Sequence, residues 1–103
     1  MVAIMSPTIG RTVHYRLSAQ DAEAINRRRH HSEANMPQHR EIGVQVHVGN
    51  TVREGDVCAM VVTQVWADSR VNGQCILDGT DTYWATSVGL GDVPGTWCWP
   101  ERV

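Results

Sequence analysis

Arginine and aromatic side chains are the residues of this chain best suited to hold a ligand. Arg27, Arg28 and Arg29 stand in succession, and His30 and His31 follow, which makes this the densest positive charge in the sequence. An arginine guanidinium can match two phosphate oxygens at once. Successive helical residues point about 100° apart, so one or two of these arginines can face a common ligand. The run predicts an anion clamp, with helix capping and solubility as the alternative explanation.

The second group of candidates is aromatic. Five rings fall within the last forty residues, at positions with strand-like patterning: Trp66, Tyr83, Trp84, Trp97 and Trp99. Adjacent strand residues face opposite sides, so Tyr83 and Trp84 should lie on opposite faces, whereas Trp97 and Trp99 should share one. Because only one face is the core, we expect at least one ring on an outer face, in a pocket or at an interface. Such rings stack on nucleobases or anchor protein contacts.

No pattern in the chain predicts catalysis. It lacks a nucleophile elbow, a zinc-protease helix motif and a phosphate-binding loop, and no cysteine stands at a known spacing from a histidine. The Asp78 and Asp81 pair fits the geometry of a hairpin turn. His30, His31 and His39 fall in a polar stretch rather than on the firm elements that a metal site requires. We therefore expect a non-enzymatic protein with no cofactor and no bound metal.

Length and charge narrow the classes of partner. A chain of 103 residues has room for one domain, so residues 1–103 are expected to form a single unit. The net charge of −2 at pH 7 argues against a nucleic-acid partner, because tracking a phosphate backbone requires a basic groove. No apolar run approaches the roughly 18 residues of a bilayer-spanning helix, so no membrane partner is expected. Without an export signal, Cys58, Cys75 and Cys98 are expected to be reduced thiols.

The N-terminal third is predicted to hold one strand and one helix. Alternating apolar and polar residues over 12–17 predict a half-buried strand. Ser18 and Asp21 have the spacing of a capping box, which opens a helix over 19–29. The polar residues 30–41 lack periodicity and contain a proline, so they are expected to form a flexible loop.

The rest of the chain carries strand patterns. The alternation at 44–48 predicts a strand, and the apolar run at 57–66 is typical of a strand buried on both faces. Further strands are expected at 71–77, 82–88 and 96–99, separated by turn residues. Five or six short strands favour a mainly β (α+β) fold, specifically a small SH3-like or OB-like barrel with one N-terminal helix.

Five stretches carry motifs that can be compared with other proteins. They are Gly-Arg-Thr-Val-His-Tyr from Gly10, Asp-Ala-Glu-Ala-Ile-Asn-Arg-Arg-Arg from Asp21, Gly-Asp-Val from Gly55, Leu-Asp-Gly-Thr-Asp-Thr-Tyr-Trp-Ala-Thr-Ser from Leu77, and Gly-Thr-Trp from Gly95. They resemble a group of small proteins encoded by tailed phages, often those of actinobacteria, over most of the chain outside 30–41. The resemblance implies a phage or prophage origin and action in the cytoplasm of the host cell. It implies no activity.

Two functions compete on these grounds. The first is sequestration of a small nucleotide, such as a cyclic-nucleotide immune signal of the host, by ring stacking and arginine–phosphate contacts, so that the phage evades defence. The ligand-binding candidates are Arg27, Arg28, Tyr83 and Trp84, with His14, Arg16 and Asp81 as lesser ones. This function predicts a homo-oligomer, because a small barrel has little concave volume of its own. The second is an interaction module that docks on a host factor or a phage assembly component through an exposed Trp97, an exposed Trp99 and the loop at 30–41.

Overall fold

The computed structural model describes residues 6–34 and 49–101 of the chain. Its elements in chain order are β1 (Thr12–Arg16), α1 (Ala19–Ala34), β2 (Val57–Val65), β3 (Val71–Ile76), β4 (Thr82–Val88) and β5 (Trp97–Cys98). The prediction of a mainly β (α+β) fold with one N-terminal helix is confirmed. The strand predicted at 44–48 and the part of the predicted loop from 35 to 41 lie outside the described residues.

The strands form one antiparallel sheet in the order β4-β3-β2-β1-β5. Beyond β4 the chain returns to β5, where Leu90 forms a bridge with Trp97. Two backbone hydrogen bonds flank this bridge: the Trp97 N–H donates to the Gly89 oxygen at 2.9 Å, and the Gly91 N–H donates to the Trp97 oxygen at 2.9 Å. The sheet therefore curls until its two ends approach each other, which gives the fold its barrel-like form.

The inner side of the curled sheet is the hydrophobic core. Its most deeply buried members are Val13, Leu17, Ile25, Met60, Val62, Val71, Cys75 and Trp97. Packing is close enough to require a glycine on β3, since a Cβ atom at Gly73 would lie 2.4 Å from Cγ of Met60. Cys75 is thus a core thiol, while Cys58 and Cys98 are half-buried and all three are free.

Helix α1 begins with the predicted capping box. The Asp21 N–H donates to Oγ of Ser18 at 3.0 Å, and the Ser18 N–H donates to the Asp21 carboxylate at 2.9 Å. The helix then continues to Ala34, so residues 30–34 are helical and the prediction of a loop from residue 30 is wrong there. No glycine or proline stands between Arg29 and Ala34 to end the helix.

The prediction that the strand at 57–66 is buried on both faces is wrong. Met60 and Val62 are buried, whereas Val57 and Ala59 on the alternate positions are exposed. Helix α1 buries its residues Ala22 and Ile25 with the inner side of the sheet, so the inner side alone gains a second layer within the described residues. The apolar run of β2 therefore places an apolar stripe on the outer surface.

Candidate ligand-binding site

Tyr83 and Trp84 lie on opposite sides of β4, as the alternation predicted. Trp84 is 57% exposed on the outer surface. Tyr83 is half-buried on the inner side, where its hydroxyl donates to Oδ1 of Asp21 at 2.7 Å. The hydroxyl of Tyr83 is therefore hydrogen-bonded within the protein, whereas the ring of Trp84 is exposed to solvent.

The exposed ring belongs to a continuous outer surface of β1 to β4. Strand register places Val61, Gln74 and Trp84 in one cross-strand row, and His14, Ala59 and Ile76 in the next. We call this surface the open face and define it by Thr12, His14, Arg16, Val57, Ala59, Val61, Gln74, Ile76, Thr82 and Trp84. Each member is exposed or half-buried. The open face thus combines a group of apolar side chains with polar ones and has one large ring at its β4 end.

On the inner side of β4, Asp21 is a buried carboxylate held by uncharged donors. The hydroxyl groups of Tyr15 and Tyr83 and the N–H of Ser18 all donate to it. No salt bridge joins Asp21 to a cation among residues 6–34 and 49–101. Burial raises the pKa of Asp21, but the hydrogen bonds from Tyr15, Ser18 and Tyr83 together outweigh burial and bring the pKa below 3.8. Asp21 is therefore an anion at neutral pH without a salt-bridge partner in this part of the chain.

The two tyrosines keep their protons while they hold Asp21. Burial, followed by the hydrogen bond to Asp21, raises the pKa of Tyr83 to about 12. The same two causes raise the pKa of Tyr15 above its ordinary value. Both hydroxyls are therefore hydrogen-bond donors at neutral pH rather than nucleophiles or bases.

A cavity of about 340 Å³ separates α1 from β4 at this point. Helix α1 lines it with Gln20, Asp21 and Ala24, and β4 lines it from Tyr83 to Thr86. Tyr15 also contributes to the wall, so the Asp21 carboxylate and its two tyrosines border the cavity. A negative charge and aromatic side chains therefore line a cavity beside β4, the edge strand of the sheet.

A second carboxylate, Asp81 in the turn between β3 and β4, lies between two arginines. Arg28 donates to the Asp81 carboxylate at 2.9 Å and to the Thr82 backbone oxygen at 2.9 Å. The buried Arg29 donates to Asp81 at 3.0 Å and also to the backbone oxygens of Asn50 and Asp78. The hydrogen bond from Arg29, more than any other contact, lowers the pKa of Asp81. This cluster fastens α1 to the turn that precedes β4.

The structure distributes the seven predicted ligand-binding residues over four places. Arg27 lies on the exposed side of α1 and pairs with Glu23 at 2.6 Å. Arg28 and Asp81 bind each other, and Tyr83 faces Asp21. The remaining three, which are His14, Arg16 and Trp84, lie on the open face. The role of the seven in binding a ligand stays a prediction.

The prediction of an exposed Trp97 is wrong. Trp97 is fully buried, and its indole N–H donates to the Ser69 backbone oxygen at 2.9 Å. Its ring meets Trp99 edge-on, with 5.2 Å between the ring centres, and Trp99 is half-buried with the Arg11 guanidinium 5.3 Å above its ring. These two rings complete the core instead of forming a docking surface, because the bridge to Leu90 closes the fold over Trp97.

Sequence reasoning missed Asp21 as part of a site. The capping box drew attention to Asp21 as a helix-start residue, but the same carboxylate also accepts the Tyr83 hydroxyl from a position 62 residues away. No local pattern connects residues so far apart. One signal for this contact was available in the sequence. The alternating pattern of residues 12–17 places Tyr15 on the buried side of the strand, and a buried hydroxyl needs a hydrogen-bond acceptor.

Three further observations limit what the site can be. Within residues 6–34 and 49–101, no group of three or more His, Cys, Asp and Glu residues is placed to hold a metal ion. Helix α1, the helix of this part of the chain, is not long and apolar enough to cross a bilayer. Comparison with known protein families, with curated proteins and with solved structures finds no match for this chain.

Proposed function

We propose that this protein is a non-enzymatic interaction module that binds another protein through the open face. The observation that carries the proposal is Trp84, a large ring that is 57% exposed on a face that also presents the exposed apolar side chains of Val57 and Ile76. Exposed tryptophans with apolar neighbours supply much of the binding energy at protein interfaces. The resemblance to phage proteins supports a host factor or a phage assembly component as the partner, met in the host cytoplasm.

The apolar character of the open face favours a protein over a nucleotide. Ile76 and Val57 are 54% and 48% exposed, and Arg16 is the single arginine among the ten residues that define the face. Contiguous apolar surface of this kind is typical of a protein interface. A nucleotide phosphate would instead require arginines that already bind carboxylates, namely Arg27 with Glu23 and Arg28 with Asp81.

The experiment uses a matched pair of variants as bait for proteins from an actinobacterial lysate. Ile76→Asp places a charge on the open face, and Ile9→Asp places the same charge on an exposed isoleucine outside it. We expect a partner that the wild type and Ile9→Asp capture and that Ile76→Asp and Trp84→Ala do not. With the purified partner, Trp84→Ala should weaken binding about 30-fold, because an interface hot spot contributes about 2 kcal/mol.

Circular dichroism and melting curves show whether each bait is folded, which separates lost binding from lost structure. Trp84 is exposed, so Trp84→Ala should change the free energy of unfolding by less than about 0.5 kcal/mol. Capture that Ile76→Asp and Ile9→Asp impair equally would contradict the proposal.

Nucleotide sequestration remains a second proposal because of the position of Arg28. Its side chain is 47% exposed, and its guanidinium donates to the Thr82 oxygen, two residues before Trp84 on the same strand. A phosphate that replaced Asp81 at Arg28 would therefore lie near a ring on which a base could stack. A homo-oligomer belongs to this proposal, since the cavity walls of one chain would enclose a nucleotide incompletely.

Melting curves against linear and cyclic nucleotides test this second proposal. A ligand at 100 times its Kd adds about 2.7 kcal/mol, which raises the melting temperature by about 10–20 °C in a domain of this size. Arg28→Ala should abolish that increase while Arg27→Ala, its exposed neighbour on α1, should not. No increase with any nucleotide would exclude sequestration and leave the interaction module.

A further inference from the structure

We propose that the free edge of β4 and the adjoining cavity bind an extended peptide of the partner, and that this peptide places a basic side chain against Asp21. The inference rests on the interaction role proposed above and specifies the chemistry of the partner. It follows from three properties of this region within residues 6–34 and 49–101, which are a strand edge that pairs with no described strand, a cavity beside that edge and a buried negative charge.

Strand β4 is the last strand of the sheet on its side. The bridge to β5 is made by Leu90, beyond the end of β4, so no described strand lies beside residues 83–86. An edge strand presents backbone N–H and C=O groups on which another chain can pair. Several peptide-binding domains use such an edge. Here α1 lies across the cavity from β4.

The cavity gives an added strand a place for one of its side chains. It lies between the edge of β4 and the helix residues Gln20, Asp21 and Ala24, and its volume of about 340 Å³ admits a long side chain together with water. A strand paired with β4 would direct alternate side chains to the cavity and to the side of the open face. The peptide residues on either side of the one that enters the cavity would therefore lie next to Trp84.

The charge of Asp21 selects the side chain that enters. A carboxylate has about four acceptor positions, and Tyr15, Ser18 and Tyr83 fill three of them, which leaves one for a further donor. The aromatic residues Tyr15, Tyr83 and Trp84 border the same cavity, and aromatic rings attract cations. An acidic side chain would be repelled and a neutral one would leave the charge unpaired. Arginine or lysine fits both the carboxylate and the rings.

The predicted recognition motif is therefore a basic residue with an apolar residue on each side in an extended peptide. The basic side chain would supply specificity at Asp21, and its apolar neighbours would supply affinity at Trp84. Backbone pairing with β4 would set the register between them.

A random heptapeptide library selected on the folded protein tests the motif. We expect enriched peptides with one basic position between apolar positions. A synthetic peptide of the enriched sequence should lose at least tenfold in affinity when its arginine is replaced by citrulline, which keeps the shape and removes the charge. Methylation of a single backbone nitrogen that pairs with β4 should have an effect of similar size. Both changes are made in the peptide, so the fold of the protein is not at risk.

Two protein variants assign the charge effect to Asp21. Asp21→Asn should bind the arginine and citrulline peptides equally, since the amide retains the shape of the cap and removes the negative charge. Glu23→Gln, which removes an exposed carboxylate two residues further along the helix, should discriminate between the peptides as the wild type does.

Several outcomes would overturn the inference. They are a library without binders, binders without a basic position, and binding that tolerates methylation at every backbone nitrogen. Peptides without a basic position that nevertheless need Trp84 would overturn this inference while leaving the open-face interaction in place. A peptide-free dimer that Thr86→Pro dissociates would assign the edge of β4 to a second copy of this chain and would also overturn it.

Discussion

Asp21 and Asp81 are two carboxylates with lowered pKa values that reach this state by different means. Asp21 is 9% exposed and is held by two tyrosine hydroxyls and a backbone N–H, none of which carries a charge. Asp81 lies at a turn and is held by the guanidinium groups of Arg28 and Arg29. Both carboxylates are stabilised by hydrogen bonds, but the donors to Asp21 are neutral and the donors to Asp81 carry positive charge.

The difference indicates which carboxylate is available to a partner. Asp81 already has two cations, so a further basic group would gain little there. Asp21 has no salt-bridge partner among residues 6–34 and 49–101 and lies beside a cavity. Asp81 therefore has a structural role in fastening α1 to the sheet, whereas Asp21 combines a structural role at the helix start with the capacity to bind a cation. The predictions below test this difference.

The largest effect is expected from Asp21→Ala. It removes the capping acceptor and leaves the buried Tyr15 hydroxyl without its partner. Loss of a cap costs about 1 kcal/mol and an unsatisfied buried donor about 1–3 kcal/mol, so the free energy of unfolding should fall by about 2–4 kcal/mol. Urea denaturation measures the change. Glu23→Ala on the exposed side of α1 is the control, and an equal effect of the two substitutions would refute the structural role of Asp21.

A smaller loss of about 1–3 kcal/mol is expected from Asp81→Ala, the range for a hydrogen bond with a charged group. Arg29 would lose its carboxylate but keep the backbone oxygens of Asn50 and Asp78. A double-mutant cycle with Arg29→Leu should give a coupling energy of at least about 0.5 kcal/mol. Additive effects of the two substitutions would show that the Arg29–Asp81 pair does not fasten the helix.

Salt should shift the pKa of Asp81 modestly and leave the pKa of Asp21 nearly unchanged. Because the Asp81 pKa is lowered largely by arginines, of which Arg28 is half-exposed, raising NaCl from about 0.05 to 1 M should move that pKa upward through screening. The pKa of Asp21 should stay nearly constant, since its donors are neutral. Carboxyl carbon chemical shifts followed by NMR give both values. A larger salt-induced change in pKa at Asp21 than at Asp81 would contradict the assignment of neutral donors to Asp21 and charged donors to Asp81.

Both lowered pKa values also imply acid instability with a defined sign. The unfolded carboxyls take up protons near pH 3.9, and the folded ones do so only at lower pH. Between the folded and the unfolded pKa values the unfolded state binds more protons than the folded state. The stabilisation of the folded state by each carboxylate is therefore complete above about pH 4 and is lost as the pH falls through the folded pKa values. Asp21→Asn and Asp81→Asn should each flatten this part of the stability curve.

The smallest effect is expected at alkaline pH from Tyr83. Its pKa is raised to about 12, whereas an unfolded tyrosine ionises near pH 10. The resulting stabilisation is present below about pH 10 and is lost as the pH rises through about 12. Tyr83→Phe should reduce the pH dependence of unfolding between these values and lower the stability at neutral pH by about 1 kcal/mol, the size of one hydrogen bond. An unchanged alkaline slope in Tyr83→Phe would show that the Tyr83–Asp21 bond contributes nothing.

Local patterns predicted most of the elements and part of the site. The capping box at Ser18 and the opposite placement of Tyr83 and Trp84 depend on residues within a few positions of each other, and both are confirmed. Helix α1 extends past the predicted end at residue 29. Residues 30–34 contain no glycine or proline, so they carry no local signal that would end the helix. Strand alternation placed Tyr83 and Trp84 on opposite faces but did not show which of the two is exposed, and the burial of Trp97 depends on closure of the sheet at Leu90.

The sequence by itself determined the mainly β fold, the start of the helix and the two-sided character of β4, because periodicity and capping act between near neighbours. Only the tertiary structure decided which side of the apolar β2 run is covered, where the arginine run finds its carboxylates and that Asp21 faces Tyr83 across a cavity. These outcomes depend on which distant segments meet when the sheet curls and α1 packs inside it. Contacts of that kind join residues up to 62 positions apart, and no pattern within a short window specifies them.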